Sequence, residues 1–517
     1  MIKKYDFTFI LFYFLNAYFF FDLNGHWSNN IDSEIIWPYN ALLILSGYKV
    51  EFIEFGSTLY IFLALFQKLI NAINLSQINN LSDFLDINTF SSNLQELIFF
   101  SRIFNVFLGI LFLLVFKRII FKITKNELMS LVITLILFFS PGFVISMSHV
   151  RADFVSLLFI LLFFFFLIKY VEDDTNEKNL FLILSFIFFN LSILTKIQAF
   201  LYFPIISILV FYFSKKRKII SNRFFEHRLF HILTIFLIII SLIYPILFLR
   251  YTKLSIIFLY YQIFIFNLLF YLYIKFFIIF DKKNNSYKLL FKYNFFLIGI
   301  YFLSFIILNN LPYYYDTLII TLTYLDPSSI LQFAEDDTLH KNKDFGIKNF
   351  DLTKILMIIL SNLYKIFKFY FLSFNYQSVL LYIILILYIF KLNVLTKNNL
   401  LATPIFLFIF LYINLVNSMR SNQVYELYFI FSDYLLIILL SINLTLYSKL
   451  RSLFSIILLS FLIIIFSLNL FNLNINNYGY KSFVKKNNIN AYCGANYVVN
   501  FANKFSNNFQ RICEESR

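Results

Sequence analysis

The sequence predicts an all-α membrane protein that crosses the bilayer many times. Of its 517 residues, 60% are hydrophobic and only 14% are charged, whereas soluble proteins carry about 25% charged residues. Apolar runs of about 20 residues, the length that spans the hydrocarbon core, recur through most of the chain. We expect about 13 transmembrane helices, with the N-terminus inside and the C-terminus outside.

The lysines and arginines set the direction of each span. Lys3 and Lys4 precede the first apolar run, and short basic loops such as 215–218 alternate with less basic ones, as the positive-inside rule requires. No small-residue cleavage site follows the first run, so we interpret it as a retained helix. The predicted spans cover residues 7–23, 96–116, 128–146, 153–169, 180–195, 198–213, 231–249, 254–274, a span from 293 to about 311, 377–391, 400–417, 427–447 and 452–471.

Two long loops and a tail are predicted to share the outer compartment. The first loop, 24–95, contains two short apolar segments, 34–47 and 56–73, which we interpret as helices lying on the membrane. The second loop, 311–352, leads into an amphipathic segment at 352–371, interpreted as a further interfacial helix. The expected organisation is a transmembrane domain over residues 1–471, followed by a small non-cytoplasmic tail at 472–517.

The net charge of +15 does not indicate a nucleic-acid-binding protein, because the cations concentrate in short loops on one side of the predicted membrane. The chain contains two cysteines, Cys493 and Cys513, and no CxxC pair, which argues against a zinc site. Both lie in the predicted outer tail, where oxidation is permitted, so we expect a disulfide between them.

The candidate functional residues are charged side chains at the outer edge of predicted spans. Asp32 and Glu34 follow the first span, and helix capping is the competing interpretation for both. Asp153 starts a later span, where an ionisable group is a candidate site residue by default and a local pair with Arg151 is the structural alternative. Lys196, between two apolar runs, either binds an anion or extends to the membrane interface.

Four stretches of the first 215 residues carry a resemblance to a known family. They are FGSTLYIFLALFQKL, FFSRIFNVFLGILFLLVF, FFSPGFVISMSHVRADFVSLLFILL and NLSILTKIQAFLYFP, in this order after an acidic pair. The order resembles that of GT-C glycosyltransferases, in the branch of protein O-mannosyltransferases and the lipid A aminoarabinose transferase. That branch has adjacent acids where Ser33 separates Asp32 from Glu34 here.

The resemblance implies a GT-C type bundle and the transfer of a hexose or pentose from a polyprenyl-phosphate carrier to a lipid, glycan or protein on the non-cytoplasmic face. Asp32 and Glu34 match the acidic motif of the first loop, and Asp153 matches the acid after the third span. We take these three as catalytic candidates, with Asp32 preferred as the base. Lys196 matches a lysine associated with the donor phosphate.

Two arginines and a divalent metal ion are further candidates for the site. Arg102 and Arg420 are further candidates for binding the donor phosphate. If a divalent cation is bound, oxygen ligands from Asp32 and Asp153 would suit Mg²⁺ or Mn²⁺. The expected location is a multi-pass protein of a bacterial inner membrane, surrounded by membrane lipids and with its site on the outer face.

Two other functions stay open at this point. An envelope polysaccharide polymerase or ligase also has many spans and large outer loops, but an arginine-rich outer loop would be expected, and 311–352 contains no arginine. A lipid-linked sugar transporter or flippase would need broken helices and charges near the midplane. The chain has only 9 Gly and 7 Pro, and its charges collect at the outer edge.

Overall fold

The part of the chain that the structure describes is helical and contains no strand. The structure is a computed structural model. It describes residues 4–21, 23, 34, 36–48, 57–84, 87–172, 178–196, 199, 352–373, 375–391, 407, 410, 411, 413–415, 429–445 and 460. The predicted spans between 198 and 311, the predicted disulfide, Asp32 and Arg420 lie outside these residues.

The helices follow the predicted apolar segments closely. In chain order they are α1 (Lys4–Phe20), α2 (Ile36–Leu45), α3 (Ser57–Ala72), α4 (Ile87–Thr124), α5 (Glu127–Phe138), α6 (Pro141–Ser148), α7 (Ala152–Glu172), α8 (Lys178–Thr195), α9 (Leu352–Phe367), α10 (Tyr376–Lys391) and α11 (Phe429–Thr445). A 3₁₀ turn, Leu81–Phe84, precedes α4, and a π-helical turn, Lys368–Leu372, continues α9.

Within the described ranges, two helices are long and apolar enough to cross a membrane, Ser92–Thr124 and Ala152–Tyr170. The number rises to four if each of two bent pairs forms one span: α5 with α6, and Leu360–Leu372 with Tyr376–Ile389. The predicted total of about 13 and the interfacial position of α2, α3 and α9 remain predictions, although each of these three segments is helical as expected.

The predicted span at 128–146 is a bent pair of helices, because α5 and α6 meet at an angle of 60°. The sequence at the bend explains it: Pro141 lacks an N–H and cannot continue the hydrogen-bond ladder of α5. Ser140 then caps the new helix, since its Oγ accepts a hydrogen bond from the Phe143 N–H at 3.2 Å. Proline at the first helical position is the usual arrangement for such a restart.

The chain divides into two compact units. One comprises Met1–Leu158, Leu194–Lys196 and Ser448–Arg517, and the other comprises Phe159–Ile193 and Ile197–Tyr447. In the first unit, α4 packs against α1, α3, α5 and α6. Aromatic rings fill the space between these helices, and Phe138 and Phe143 are buried with ring centroids 6.0 Å apart.

Gly109 allows α1 and α6 to approach α4 closely. The hydroxyl of buried Tyr13 donates to the Val106 carbonyl at 2.8 Å, directly beside Gly109. A Cβ at position 109 would lie too close to both Tyr13 Oη and Met147 Sδ. A glycine is therefore needed for close packing at this point of α4, independently of its backbone angles.

We expect Gly109→Ala to destabilise the protein by about 1–3 kcal/mol, the usual cost of overpacking a core. Unfolding of the detergent-solubilised protein by heat or denaturant measures the change. The same substitution in a Tyr13→Phe background should cost less, because the hydroxyl that the new methyl group meets is then absent. Equal costs in the two backgrounds would show that the Tyr13 contact is not responsible.

Candidate active site

The first-loop acid Glu34 lies in a buried ion pair with Arg102 of α4. Arg102 Nε donates to Glu34 Oε1 at 3.1 Å, and Arg102 Nη2 donates to Oε2 at 2.9 Å. This is the two-point geometry in which guanidinium binds a carboxylate most strongly. The backbone N–H of Val150 adds a third hydrogen bond to Oε1 at 2.9 Å. Glu34 is fully buried and Arg102 is 3% exposed.

The loop between α6 and α7 is fixed on α4 by this arrangement. Asn105 lies three residues after Arg102, so both side chains project from the same face of α4. Its Nδ2 donates to the carbonyls of Ser146 and His149, at 2.6 and 3.0 Å. Together with the Val150 bond to Glu34, these contacts determine where the chain enters α7.

Asp153, in the first turn of α7, is paired with two cations. Arg151 Nε and Nη2 both donate to Asp153 Oδ2, at 3.1 and 3.0 Å. The Lys196 ammonium donates to the other oxygen, Oδ1. A carboxylate at this position is also favoured by the dipole of α7. All three side chains are buried, which is rare for charged groups unless they are paired.

Lys196 directly follows α8, and the end of α8 is held next to the beginning of α3. The hydroxyls of Thr58 in α3 and Thr195 in α8 are hydrogen-bonded to each other, and both residues are buried. The rings of Trp37 and Tyr60 stack with centroids 5.5 Å apart, which joins α2 to α3. The elements that flank Glu34 and Lys196 are therefore tied together by polar and aromatic contacts.

The five ionic residues Glu34, Arg102, Arg151, Asp153 and Lys196 form what we call the charged cluster. It contains three cations and two carboxylates, joined by ion pairs from Arg102 to Glu34 and from Arg151 and Lys196 to Asp153. Burial lowers the pKa of the neighbouring His149 below its usual 6.5, so its imidazole adds no charge at neutral pH. Arg151 and Lys196 share one carboxylate, that of Asp153, and two cations held close together in this way are suited to an anionic ligand.

The structure brings together four of the predicted site residues in two pairs, Glu34 with Arg102 and Asp153 with Lys196. The local pair of Asp153 with Arg151, considered as a structural alternative, is also present. It coexists with the Lys196 contact, so the two interpretations of Asp153 are compatible. Asp32 and Arg420 are outside the described residues, and their roles remain predictions.

Of the two predicted metal ligands, Asp32 lies outside the described residues and Asp153 lies within them. In the helices and turns that the structure describes, no three His, Cys, Asp or Glu side chains come together as a group that could hold a metal ion. Both oxygens of Asp153 accept hydrogen bonds from cations. A metal at Asp153 would have to displace Arg151 or Lys196, and a divalent cation at Asp32 and Asp153 remains a prediction.

A second buried polar network, which we did not predict from the sequence, lies in the other unit. Gln377 Nε2 donates to Asp433 Oδ1 at 2.9 Å, and the hydroxyls of Tyr370 and Ser432 both donate to Asn414 Oδ1 at 2.7 Å. The signal was available, because a lone Asp within an apolar run of membrane-span length is a candidate functional residue. Here its side chain joins α11 to the start of α10.

Helices apolar enough to cross a membrane indicate an integral membrane protein, and its buried charged cluster holds Arg151 and Lys196 on one carboxylate. Residues 64–248 match the family model described as dolichyl-phosphate-mannose-protein mannosyltransferase, a family of GT-C membrane glycosyltransferases. The resemblance inferred from the sequence is confirmed over these residues, which include Arg102, Arg151, Asp153 and Lys196. The match supports a membrane glycosyltransferase with a polyprenyl-phosphate-linked donor. No curated protein and no solved structure matches the chain.

Proposed function

We propose that the protein transfers mannose from a polyprenyl-phosphate carrier to an acceptor on the non-cytoplasmic face of the membrane. The observation that carries the proposal is the pairing of Asp153 with both Arg151 and Lys196, within the segment that matches the mannosyltransferase family. Two cations on one carboxylate can attract a phosphate, and the carboxylate partly neutralises them while no phosphate is bound.

The reaction requires a base on one side of the sugar and positive charge on the other. The acceptor hydroxyl loses its proton to a carboxylate as its oxygen attacks the anomeric carbon. The bond between that carbon and the phosphate oxygen breaks, and the negative charge that develops on the phosphate is stabilised by cations. A direct displacement of this kind inverts the configuration of the sugar carbon.

The structure supports a division of these roles among the predicted residues. Glu34 accepts hydrogen bonds from Arg102 and Val150, so we propose that it positions the α6–α7 loop, and we retain Asp32 as the base. Lys196 and Arg151 are proposed to bind the phosphate of the donor. Arg102 then contributes positive charge and orients Glu34.

Two ion pairs on α4 support the assignment of the membrane face. Arg102 holds Glu34, and Lys117, 15 residues later in the same helix, holds Asp6 of α1. Fifteen helical residues rise about 22 Å, most of the thickness of the hydrocarbon core. Because the basic N-terminus and the loop after Lys117 are predicted to be cytoplasmic, Arg102 belongs to the opposite side.

Transfer by the purified full chain in lipid nanodiscs tests the proposal. Polyprenyl-phosphate mannose, labelled in the sugar, should lose its sugar slowly to water and faster when a hydroxyl acceptor such as a Ser/Thr-rich peptide is added. Polyprenyl-phosphate glucose and the aminoarabinose donor serve as comparisons for the sugar.

The opposing results are distinct. Turnover of the aminoarabinose donor alone would contradict mannose as the transferred sugar but would still support a glycosyltransferase. Movement of intact donor across a vesicle membrane, without release of the sugar, would instead favour the flippase.

A further inference from the structure

Helix α9 has one face packed into its unit and one apolar face exposed. Ile366 and Tyr370 are buried, and the Tyr370 hydroxyl belongs to the polar network around Asn414. The exposed face carries a row of large apolar and aromatic side chains that are between 50% and 70% exposed. This row, which we call the α9 row, consists of Met357, Leu360, Tyr364 and Phe367. Exposure of such a row to lipid is favourable, whereas exposure to water is not.

A sharp bend separates α9 from α10. The bent pair formed by α9, with its π-helical turn, and by α10 has an angle of 78°. Asn375 lies at the bend, where its Nδ2 donates to the Phe369 carbonyl at 3.1 Å and its Oδ1 accepts from the Ser378 N–H at 2.9 Å. The Tyr382 hydroxyl of α10 donates to the Phe371 carbonyl. Side chains of the turn and of α10 therefore hold the angle between the two helices.

The bend indicates how α9 is oriented relative to the bilayer. Helix α10 coincides with the predicted span 377–391, and a helix at 78° to a span runs nearly parallel to the membrane plane. Lys391 ends α10 on the side that is predicted to be cytoplasmic. The bend at the other end of α10 therefore belongs to the outer leaflet, and so does α9.

A basic side of α9 lies next to the α9 row. Residues 352–372 contain three lysines and no acidic residue. Lys368 is exposed, and it lies one helical turn after Lys365 and two turns after the exposed Ser361. A lysine facing the centre of the hydrocarbon would be costly. At the membrane surface, its stem can instead lie on the apolar row while its ammonium reaches the headgroups.

We propose that α9 lies flat in the outer leaflet and that its basic side binds the headgroups of anionic phospholipids. The α9 row enters the acyl region, and the ammonium groups of Lys365 and Lys368 lie level with the lipid phosphates. Each lysine near an anionic surface strengthens the attraction about five-fold, and no acidic residue of 352–372 opposes it. The proposal concerns the membrane around the protein and does not rest on the function proposed above.

Site-specific photo-crosslinking measures which phospholipid lies beside α9. The photoreactive residue p-benzoylphenylalanine replaces Tyr364 on α9, or Leu11 on α1 as the control. Leu11 is 53% exposed and has no lysine or arginine within six residues on either side. The full chain is placed in vesicles of phosphatidylglycerol and phosphatidylcholine in equal amounts, with one of the two radiolabelled in turn. The ratio of the two crosslinked lipids cancels differences in reactivity between the positions.

We expect the ratio of phosphatidylglycerol to phosphatidylcholine at position 364 to exceed that at position 11 about five-fold or more. Lys368→Met should lower the ratio at position 364 several-fold. Adding Lys365→Met should bring it to the value at position 11, whereas arginine at both positions should maintain it. The ratio at position 11 should stay constant in all variants. Equal ratios at positions 364 and 11, or a ratio at 364 that ignores the two lysines, would overturn the proposal.

The depth of α9 is tested with a maleimide that does not cross membranes. Lys368→Cys should react from the outer side of sealed vesicles, and Ile386→Cys, in the middle of α10, should not. The wild-type chain provides the blank for the native cysteines. A pair of helices that enters the bilayer as one bent span would instead place position 368 in hydrocarbon. No labelling at position 368, or labelling from the cytoplasmic side alone, would therefore overturn the proposal.

Discussion

Replacing Lys196 by methionine is expected to lower the kcat of sugar transfer by about 10²–10³-fold, the typical effect of removing one electrostatic contact to a developing oxyanion. Methionine preserves the length and apolar stem of lysine and removes its charge. Arg151 still pairs with Asp153 in the variant, so these two residues together carry no net charge. The leaving phosphate then lacks the excess positive charge that we propose stabilises it.

Two further variants separate catalysis from packing. Lys196→Arg keeps the charge and should recover part of the kcat, although its planar group is larger and less adaptable than an ammonium. Lys68→Met removes an exposed lysine of α3 and should leave kcat unchanged. If Lys196→Met lowers the unfolding temperature while kcat stays near wild type, Lys196 serves only to neutralise Asp153.

Much of the local structure was predictable because apolar runs and helix breakers are local signals. The predicted span 153–169 lies within α7, and 180–195 lies within α8. The bend between α5 and α6 is marked in the sequence by Ser140-Pro141, a signal that the apolar run at 128–146 does not carry. Proline after a capping serine marks a helix start regardless of the surrounding hydrophobicity.

The partners within the charged cluster were less predictable. Glu34 and Arg102 are 68 residues apart, so their contact depends on how α4 packs against the start of α2, which no sequence periodicity encodes. Asp153 and Lys196 were both predicted at the outer ends of membrane spans, so the predicted topology alone placed them at the same depth in the membrane. Their direct contact joins residues 43 positions apart, and the neighbouring Thr58–Thr195 bond pairs two residues with no distinctive pattern around them.

Breaking the ion pair between Glu34 and Arg102 is expected to have the largest effect on stability. Removing one member of a buried pair typically costs 3–5 kcal/mol, because the other charge loses its compensation while it stays buried. We therefore expect Glu34→Gln and Arg102→Met each to lower the free energy of unfolding by roughly this amount. Glu34→Met combined with Arg102→Met should recover a large part of it, since apolar residues of similar volume often replace such a pair without loss.

The same variants test whether Glu34 positions the α6–α7 loop. The second ion pair of α4, Lys117 with Asp6, is also largely buried but lies about 22 Å along the helix from Arg102. Lys117→Met should therefore lower stability without changing kcat in the remaining folded protein. The double variant Glu34→Met with Arg102→Met should lower kcat even where stability is recovered. In this variant the Val150 N–H has lost its carboxylate acceptor. The loop that carries Val150 is then held less firmly, and so is Asp153, which follows three residues later. A double variant with wild-type kcat would show that the ion pair contributes to folding alone. The loop before Asp153 would then be held by the hydrogen bonds of Asn105 to Ser146 and His149.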